Sequence, residues 1–174
     1  MDQYYSGKIF LRPFKRSDFK ILYEIRNDPV IQTLLLTHHR PNSRHRVWKW
    51  IRGKNRDRGT VFLIIADETD HALGFIQAKS IDNINRTCLA GVAIHNNYQS
   101  IGIFEAAFPQ FEKFLKHKFK IRKIVVEIMR ENSRSVKAFT KVGFNEVGIL
   151  HQHYCHDGIF SDVLLMEKLL VLDE

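Results

Sequence analysis

The residues able to do chemistry in this sequence concentrate between Arg86 and Phe144. A run of small and β-branched residues, Cys88 to Ile94, leads through Tyr98-Gln99-Ser100-Ile101-Gly102 into a long amphipathic stretch. A strand that passes through a tight turn straight into a helix aims unpaired backbone N–H groups, and the positive end of the helix dipole, at one spot. The expected occupant of that spot is an anion, a phosphate above all. Downstream, Asn132-Ser133 can cap a short helix that stops at Gly143-Phe144, and Arg134 and Lys137 add positive charge beside it.

These groups must be positioned by the rest of the chain. Lys8 to Phe14 alternates and favours a strand that Pro13 ends, and Ser17 or Asp18 can cap a helix running to Asn27-Asp28-Pro29. A short helix from Val30 to about Leu36 follows, then a loop at Thr37-His38-His39-Arg40-Pro41-Asn42 and a Ser43-capped helix from Arg44 to Lys54. Thr60 to Ala66, Ala72 to Ile81 and Arg86 to Ile94 read as three antiparallel strands joined by tight turns. The amphipathic helix from Gly102 to about Phe119 contains Pro109, where a kink is expected. Lys123 to Met129 is a strand, and Phe144 to Leu150 with Phe160 to Leu169 form a final hairpin around a loop at His151 to Gly158.

Composition narrows the class. The 174 residues suit one domain with a sizeable core, and 44% hydrophobic with 11% aromatic residues excludes a disordered polymer. The first residues, Met1 to Ser6, lack a leader pattern and no apolar run is long enough to span a bilayer, so a cytoplasmic protein without a membrane partner is expected. Cys88 and Cys155 form no paired framework, and no His, Cys, Asp or Glu set has metal-ligand spacing; both thiols are expected reduced and no metal is expected. The net charge of +8 gathers between Arg40 and Arg58 and between Lys113 and Lys141, which reads either as solvated helix faces or as contacts to a ligand with several phosphates.

The order strand, Gln-x-x-Gly turn, helix, strand, then Asn132 to Phe144, resembles the acetyl-coenzyme A (acetyl-CoA) core of the GNAT acetyltransferase superfamily. The opening Phe10-Leu11-Arg12-Pro13-Phe14 and the closing Asp157-Gly158-x-Phe160-x-Asp162 resemble the branch named after the ribosomal-protein acetyltransferases RimJ and RimL. The resemblance spans nearly the whole chain. It implies an α/β (α+β) fold in one domain: a mixed, mostly antiparallel sheet of about seven strands, flanked by about four helices and splayed between the fourth and fifth strands. It also implies acetyl-CoA as cosubstrate. The pantetheine arm would pair with backbone at Ala93, Ile94 and His95, and the pyrophosphate would rest on Gln99, Ser100, Ile101, Gly102, Ile103 and Phe104. Asn132 would lie beside the pantetheine, with Arg134 or Lys137 on phosphate oxygens. Four positions depart from the family pattern: Ser100 and Phe104 stand where the phosphate loop carries small residues, Leu89 replaces a carboxylate on the fourth strand, and Phe139 replaces a tyrosine.

The implied reaction is attack of a neutral amine on the thioester carbonyl, with the oxyanion held by a backbone N–H near Ile94. An alkyl amine titrates near 10.4, about the value of lysine, so a base is needed, whereas a thiolate titrating around 8.5 leaves tolerably well unaided. Glu127, which breaks the apolar strand Ile124 to Met129, is the first candidate base, against an equal reading as an exposed or edge carboxylate. His95, Asp82 and Asp162 are further candidates, although His95 reads more readily as a loop residue. Tyr98, Tyr154, His151 and His153 are candidate proton donors or pocket-lining groups.

For the acceptor, Ile25 to Val30 and His45 to Ile51 are similar to acetyltransferases acting on amino-sugar nucleotides, and the basic stretch between Arg40 and Arg58 suits an anionic small molecule. Protein N-termini are the alternative acceptor. A catalytically silent CoA-binding module is a second class of reading. Nucleic-acid binding, motivated only by charge, is the remotest, since no helix-turn-helix, zinc-finger or RNA-recognition signature is present.

Overall fold

The computed structural model describes residues 7–38 and 40–170. Met1 to Ser6, read above for its lack of a leader pattern, and His39 of the loop lie outside the described residues.

β1 (Ile9–Arg12) ends at Pro13, and a 3-10 turn at Arg16–Asp18 leads into α1 (Phe19–Asn27). Arg12 forks onto the buried Asp18 through two contacts of 2.8 Å, and also reaches Asp70. This bidentate pair ties the end of β1 to the start of α1 and holds the guanidinium further into its charged range. α2 (Pro29–Leu34) follows, with Pro29 in its first turn and Asp28 accepting from the Ile31 N–H at 2.8 Å. α3 (Arg44–Arg56) starts at Ser43, whose hydroxyl accepts from the Arg46 N–H.

β2 (Val61–Asp67), β3 (Ala72–Asp82) and β4 (Thr87–Ile94) form the antiparallel meander. After α4 (Ile103–Phe119) come β5 (Lys123–Met129), α5 (Ser133–Lys141), β6 (Asn145–His156) and β7 (Ile159–Leu169). The sheet has seven strands in the order β1-β2-β3-β4-β5-β7-β6, with one parallel contact, β4 to β5. That contact runs only from Thr87↔Lys123 to Ala90↔Val126; beyond it the strands part. The splay expected between the fourth and fifth strands is therefore present.

The structure adds three details to the expected architecture. Five α-helices flank the sheet among the described residues, against about four expected. α4 continues through Pro109, which is exposed. In the last hairpin, His151 to His156 belong to β6 and not to a loop, and only Asp157-Gly158 turns. A bulge between Leu150 and Tyr154, with Gln152 at φ 50°, absorbs the extra polar residues, and Asp162 accepts the Gln152 N–H at 2.9 Å.

Each face of the sheet carries its own core. α4 lays Ile103, Phe104, Ala107, Phe108, Phe111 and Leu115 on the face that includes Ile76, Cys88, Ala90, Ile124, Val126 and Ile128. α1 and α3 lay Phe19, Leu22, Ile25, Val47 and Ile51 on the other, over Phe62, Ile64, Phe75 and Ala93. Complete burial of one such side chain is worth about 1.5–3 kcal/mol. Cys88 is sealed in the first core, where burial pushes its thiol up to about 12, and both cysteines are free. Among the described residues no helix is long and apolar enough to cross a membrane.

Candidate active site

Where β4 leaves β5, a cleft of about 370 Å³ opens, bounded by α2, β4, the turn into α4, and α5. Its polar wall is main chain. The His95 N–H donates to the Leu73 carbonyl at 2.9 Å, toward β3. Main-chain groups alternate sides along a strand. Gly91, Ala93 and His95 are thus turned to β3, while Val92 and Ile94 present theirs to the splay. The Ile94 carbonyl agrees, accepting the Gln99 side-chain amide at 2.7 Å on that side. Of the three backbone positions expected to meet the pantetheine, Ile94 turns its main-chain groups to the cleft, Ala93 lines the cleft with its main-chain groups turned to β3, and His95 does not line it. Val92, absent from that expectation, does.

The approach of β3 to β4 depends on Gly74. A Cβ there would stand 2.2 Å from the Ala93 carbonyl oxygen and 2.9 Å from the Ile94 Cα, so any side chain would push β4 toward the cleft.

At the cleft's end, Ser100 has φ 64° and Gly102 has φ 86°. Two left-handed residues one position apart make this turn tight, and it leads directly into the N-terminus of α4 with its unpaired N–H groups. Glycine suits such a backbone, and Ser100 adopts it at a cost of about 1–2 kcal/mol. Gln99, Ser100, Gly102, Ile103 and Phe104 all line the cleft; Ile101 does not and instead packs toward the core. Arg134, Lys137 and Lys141 line the rim from α5, with Lys141 3.7 Å from Glu105. Asn132 is buried, lines the cleft, and caps α5 by accepting the Ser135 N–H at 3.2 Å.

Two departures from the family pattern prove to be one packing event. The rings of Phe104 and Phe139 meet edge to face at 4.8 Å, and Phe139 also packs on Phe108 and Phe144 at 5.7 and 5.1 Å. A ring at position 104 fills the space beside position 139, so an apolar Phe139 completes the cluster where a phenol would have to place its hydroxyl.

The candidate acid–base groups separate clearly. His95 is engaged at both nitrogens: Nδ1 accepts the Asn97 N–H at 3.3 Å, and Nε2 lies 3.4 Å from Glu24. A neutral imidazole so held carries its proton on Nε2 toward Glu24 and has no free lone pair for an amine. Tyr98 lines the cleft, but its hydroxyl is 3.1 Å from His71 Nε2, at the turn before β3. Asp82 is filled by Ile84 and Asn85, and Asp162 by Gln152, Arg130 and His151; these bonds hold both carboxyls below the usual range and make them poor bases. Tyr154 donates to the Thr37 carbonyl at 2.7 Å, fastening β6 to the loop after α2. His151 and His153 are exposed on β6.

Glu127 remains. It is exposed, is the first β5 residue beyond the last paired rung, and alternates away from buried Val126 and Ile128. It therefore points to the face carrying Leu89 and Gly91, opposite Phe139. That face also holds Arg26, from the Ile25 to Val30 segment, together with Gln32 and Gln77, which the sequence did not single out; each has a buried side-chain nitrogen or oxygen that lacks a hydrogen-bond partner: Arg26 Nε, Gln32 Nε2 and Gln77 Oε1. Gln77 crosses over Gly91, with Nε2 3.5 Å from where a Cβ would stand. The one available signal was a polar residue in the run Leu73-Gly74-Phe75-Ile76-Gln77-Ala78. No cluster of metal-ligating side chains occurs among the described residues.

The cleft fits acetyl-CoA on chemical grounds: free strand-edge amides suit the pantetheine, and the left-handed turn with its α5 cations suits the phosphates. Comparisons with known proteins agree. Spermidine N-acetyltransferase from Vibrio cholerae, solved in complex with CoA and spermine, superposes with a TM-score of 0.86 over 93% of this chain and 95% of that one at 19% identity. A probable acetyltransferase superposes with a TM-score of 0.80 over 95% and 94% at 19% identity. An N-alpha-acetyltransferase of Sulfurisphaera tokodaii is 28% identical over 94 residues, 53% of this chain; the match spans about half (54%) of that relative's length. Residues 8–145 match the family described as acetyltransferase (GNAT) domain, and the chain belongs to the GNAT acetyltransferase family.

Proposed function

We propose that this chain moves the acetyl group of acetyl-CoA onto a primary amine by direct attack. The observation that carries the reading is the splayed edge of β4, where the main chain of Val92 and Ile94 faces a cleft ending in the left-handed turn at Ser100 and Gly102. In this reading the pantetheine pairs with that edge and a Val92 or Ile94 N–H takes the developing oxyanion. Glu127 removes the amine proton, directly or through one water, from the face opposite the α4 core. The thiolate leaves without a tyrosine, Phe139 having closed that position with a ring.

The acceptor in this reading is a small molecule bearing negative charge, of which an amino-sugar nucleotide is one, since the acceptor face carries basic residues of α1 and α3. A protein N-terminus is the second reading, favoured by the name of the Sulfurisphaera tokodaii relative. The test is a thermal melt with acetyl-CoA followed by release of free thiol over a panel of amines. Ligand at a hundredfold excess over its dissociation constant adds about 2.7 kcal/mol of stability. A shift with turnover on one amine class supports the reading; a shift with no turnover on any amine replaces it with a silent CoA-binding module, and no shift removes both.

A further inference from the structure

On the α1/α3 face, the guanidinium of Arg26 lies over the Trp50 ring, 5.1 Å from its centroid. Trp50 in turn stands edge-on to Phe75 of β3 at 5.5 Å and to Phe62 of β2 at 5.3 Å. One step along the same face of β3 comes Gln77, lying over Gly91 where the splay begins, and one step further Lys79, paired with Leu89. Arg26 is thus joined, through Trp50 and Phe75, to the face of β3 and β4 that carries Gln77 and Gly91.

Its environment is unusual for a cation. Arg26 is half-buried, and a polar group taken out of water without a hydrogen-bond partner is costly. Arg26 Nε is buried with no hydrogen-bond partner, and among the described residues no carboxylate forms an ion pair with Arg26. Its charged form is disfavoured first by burial and then by Arg40. Lys54 is likewise disfavoured by burial, by Lys79 and by Arg26, with only Asp57 opposing. Nearby, Gln32 accepts the Arg40 N–H at 3.1 Å through Oε1 while its buried Nε2 has no partner. Arg40, Arg26, Lys54 and Lys79 form a succession of like charges with two orphaned donors among them. Arg26 and Lys54 are half-buried while Arg40 and Lys79 are exposed, so an anion from solvent can reach this succession.

We infer that this face is an anion-binding subsite, centred on Arg26 and Arg40, that holds the phosphates of the acceptor while its amine enters the splay. The inference rests on the transferase reading for the role of the bound molecule, but not for the binding itself. Four cations suit a diphosphate better than a single carboxylate, and the fork of Arg26 matches phosphate geometry. The same charges repel a polycation, so polyamines are excluded here although spermine is bound by the Vibrio cholerae neighbour.

The test uses the full chain saturated with CoA, so that the phosphate seat before α4 is filled, and titrates uridine diphosphate, inorganic pyrophosphate, succinate and spermine by calorimetry. Uridine diphosphate and pyrophosphate should bind, with succinate at least tenfold weaker and spermine without measurable heat. Arg26→Gln should weaken uridine diphosphate at least tenfold and leave CoA affinity within twofold; Arg26→Lys should recover part of the loss. Should Arg26→Gln fail to fold, Arg40→Gln takes its place with the same expected direction. No diphosphate binding to the CoA-saturated protein, binding unchanged in the folded variant, or spermine binding more tightly than diphosphate would each overturn the inference. Because the readout is binding, an absence of acetyl turnover leaves this result standing and counts against the transferase reading alone.

Discussion

The two sides of the splay are built from different materials. On the α4/α5 side the inner wall of the cleft is main chain, the β4 edge and the left-handed turn, with the Asn132 side chain capping α5 and Arg134 and Lys137 at the rim. On the α1/α3 side the groups are long side chains, and Arg26, Gln32 and Gln77 each keep a buried polar atom unpaired. A site made of backbone can serve one invariant ligand across many sequences, because the backbone has the same donors everywhere. A site made of side chains can be changed by substitution, and its unsatisfied atoms mark what it is built to receive. The two are mechanically joined: Asn96 donates to Asp28, and His95 meets Glu24, so the loop after β4 is fastened to the α1–α2 corner.

The strongest challenge to this contrast is Glu127→Gln. If Glu127 is the base at the boundary of the two sides, turnover should fall about 10²–10⁴-fold with acetyl-CoA affinity and melting temperature unchanged. A loss under tenfold would move the base elsewhere. Gly74→Ala strikes the main-chain side: the new Cβ meets the Ala93 carbonyl, and stability should drop by about 3 kcal/mol or more in a urea melt, with weaker acetyl-CoA binding. An unchanged melt would mean that β3 and β4 have room to part.

Smaller effects sharpen the same contrast. Asn132→Ala removes the α5 cap and should cost about 1 kcal/mol, together with a measurable loss of acetyl-CoA affinity that a cap alone would not produce. Ser100→Gly relieves a left-handed serine and should stabilise the fold by up to about 1 kcal/mol while keeping acetyl-CoA affinity. The least effect is on pH. Asp67 and Asp162 are held below the usual carboxylate range by their hydrogen bonds, so in acid the unfolded chain binds protons that the folded chain does not. Their stabilisation is complete above about pH 4 and is lost as pH falls through their folded values, and Asp162→Asn should flatten that acid limb in a pH series of melts.

What the sequence determined by itself is the periodic part of the molecule. Alternation in Lys123 to Met129, the Asn132 cap, Gly143 at φ 91° and the turn before α4 are local, and local preference agrees with the fold at each. Leu89, Phe139 and Phe104 were visible as departures from a pattern, but only the ring contact at 4.8 Å made the last two a single fact. Tertiary structure alone decided which main-chain groups face the splay, because a side of a strand is set by its partner's register: Ile94 and Val92 look into the cleft since His95 is taken by Leu73. It also decided that His95, Asp82 and Asp162 are occupied, each by partners that composition cannot reveal. The acceptor face was least legible of all. Arg26, Gln32, Trp50 and Gln77 come from α1, α2, α3 and β3, and nothing in their spacing along the chain records that folding leaves a polar atom of Arg26, Gln32 and Gln77 buried without a hydrogen-bond partner.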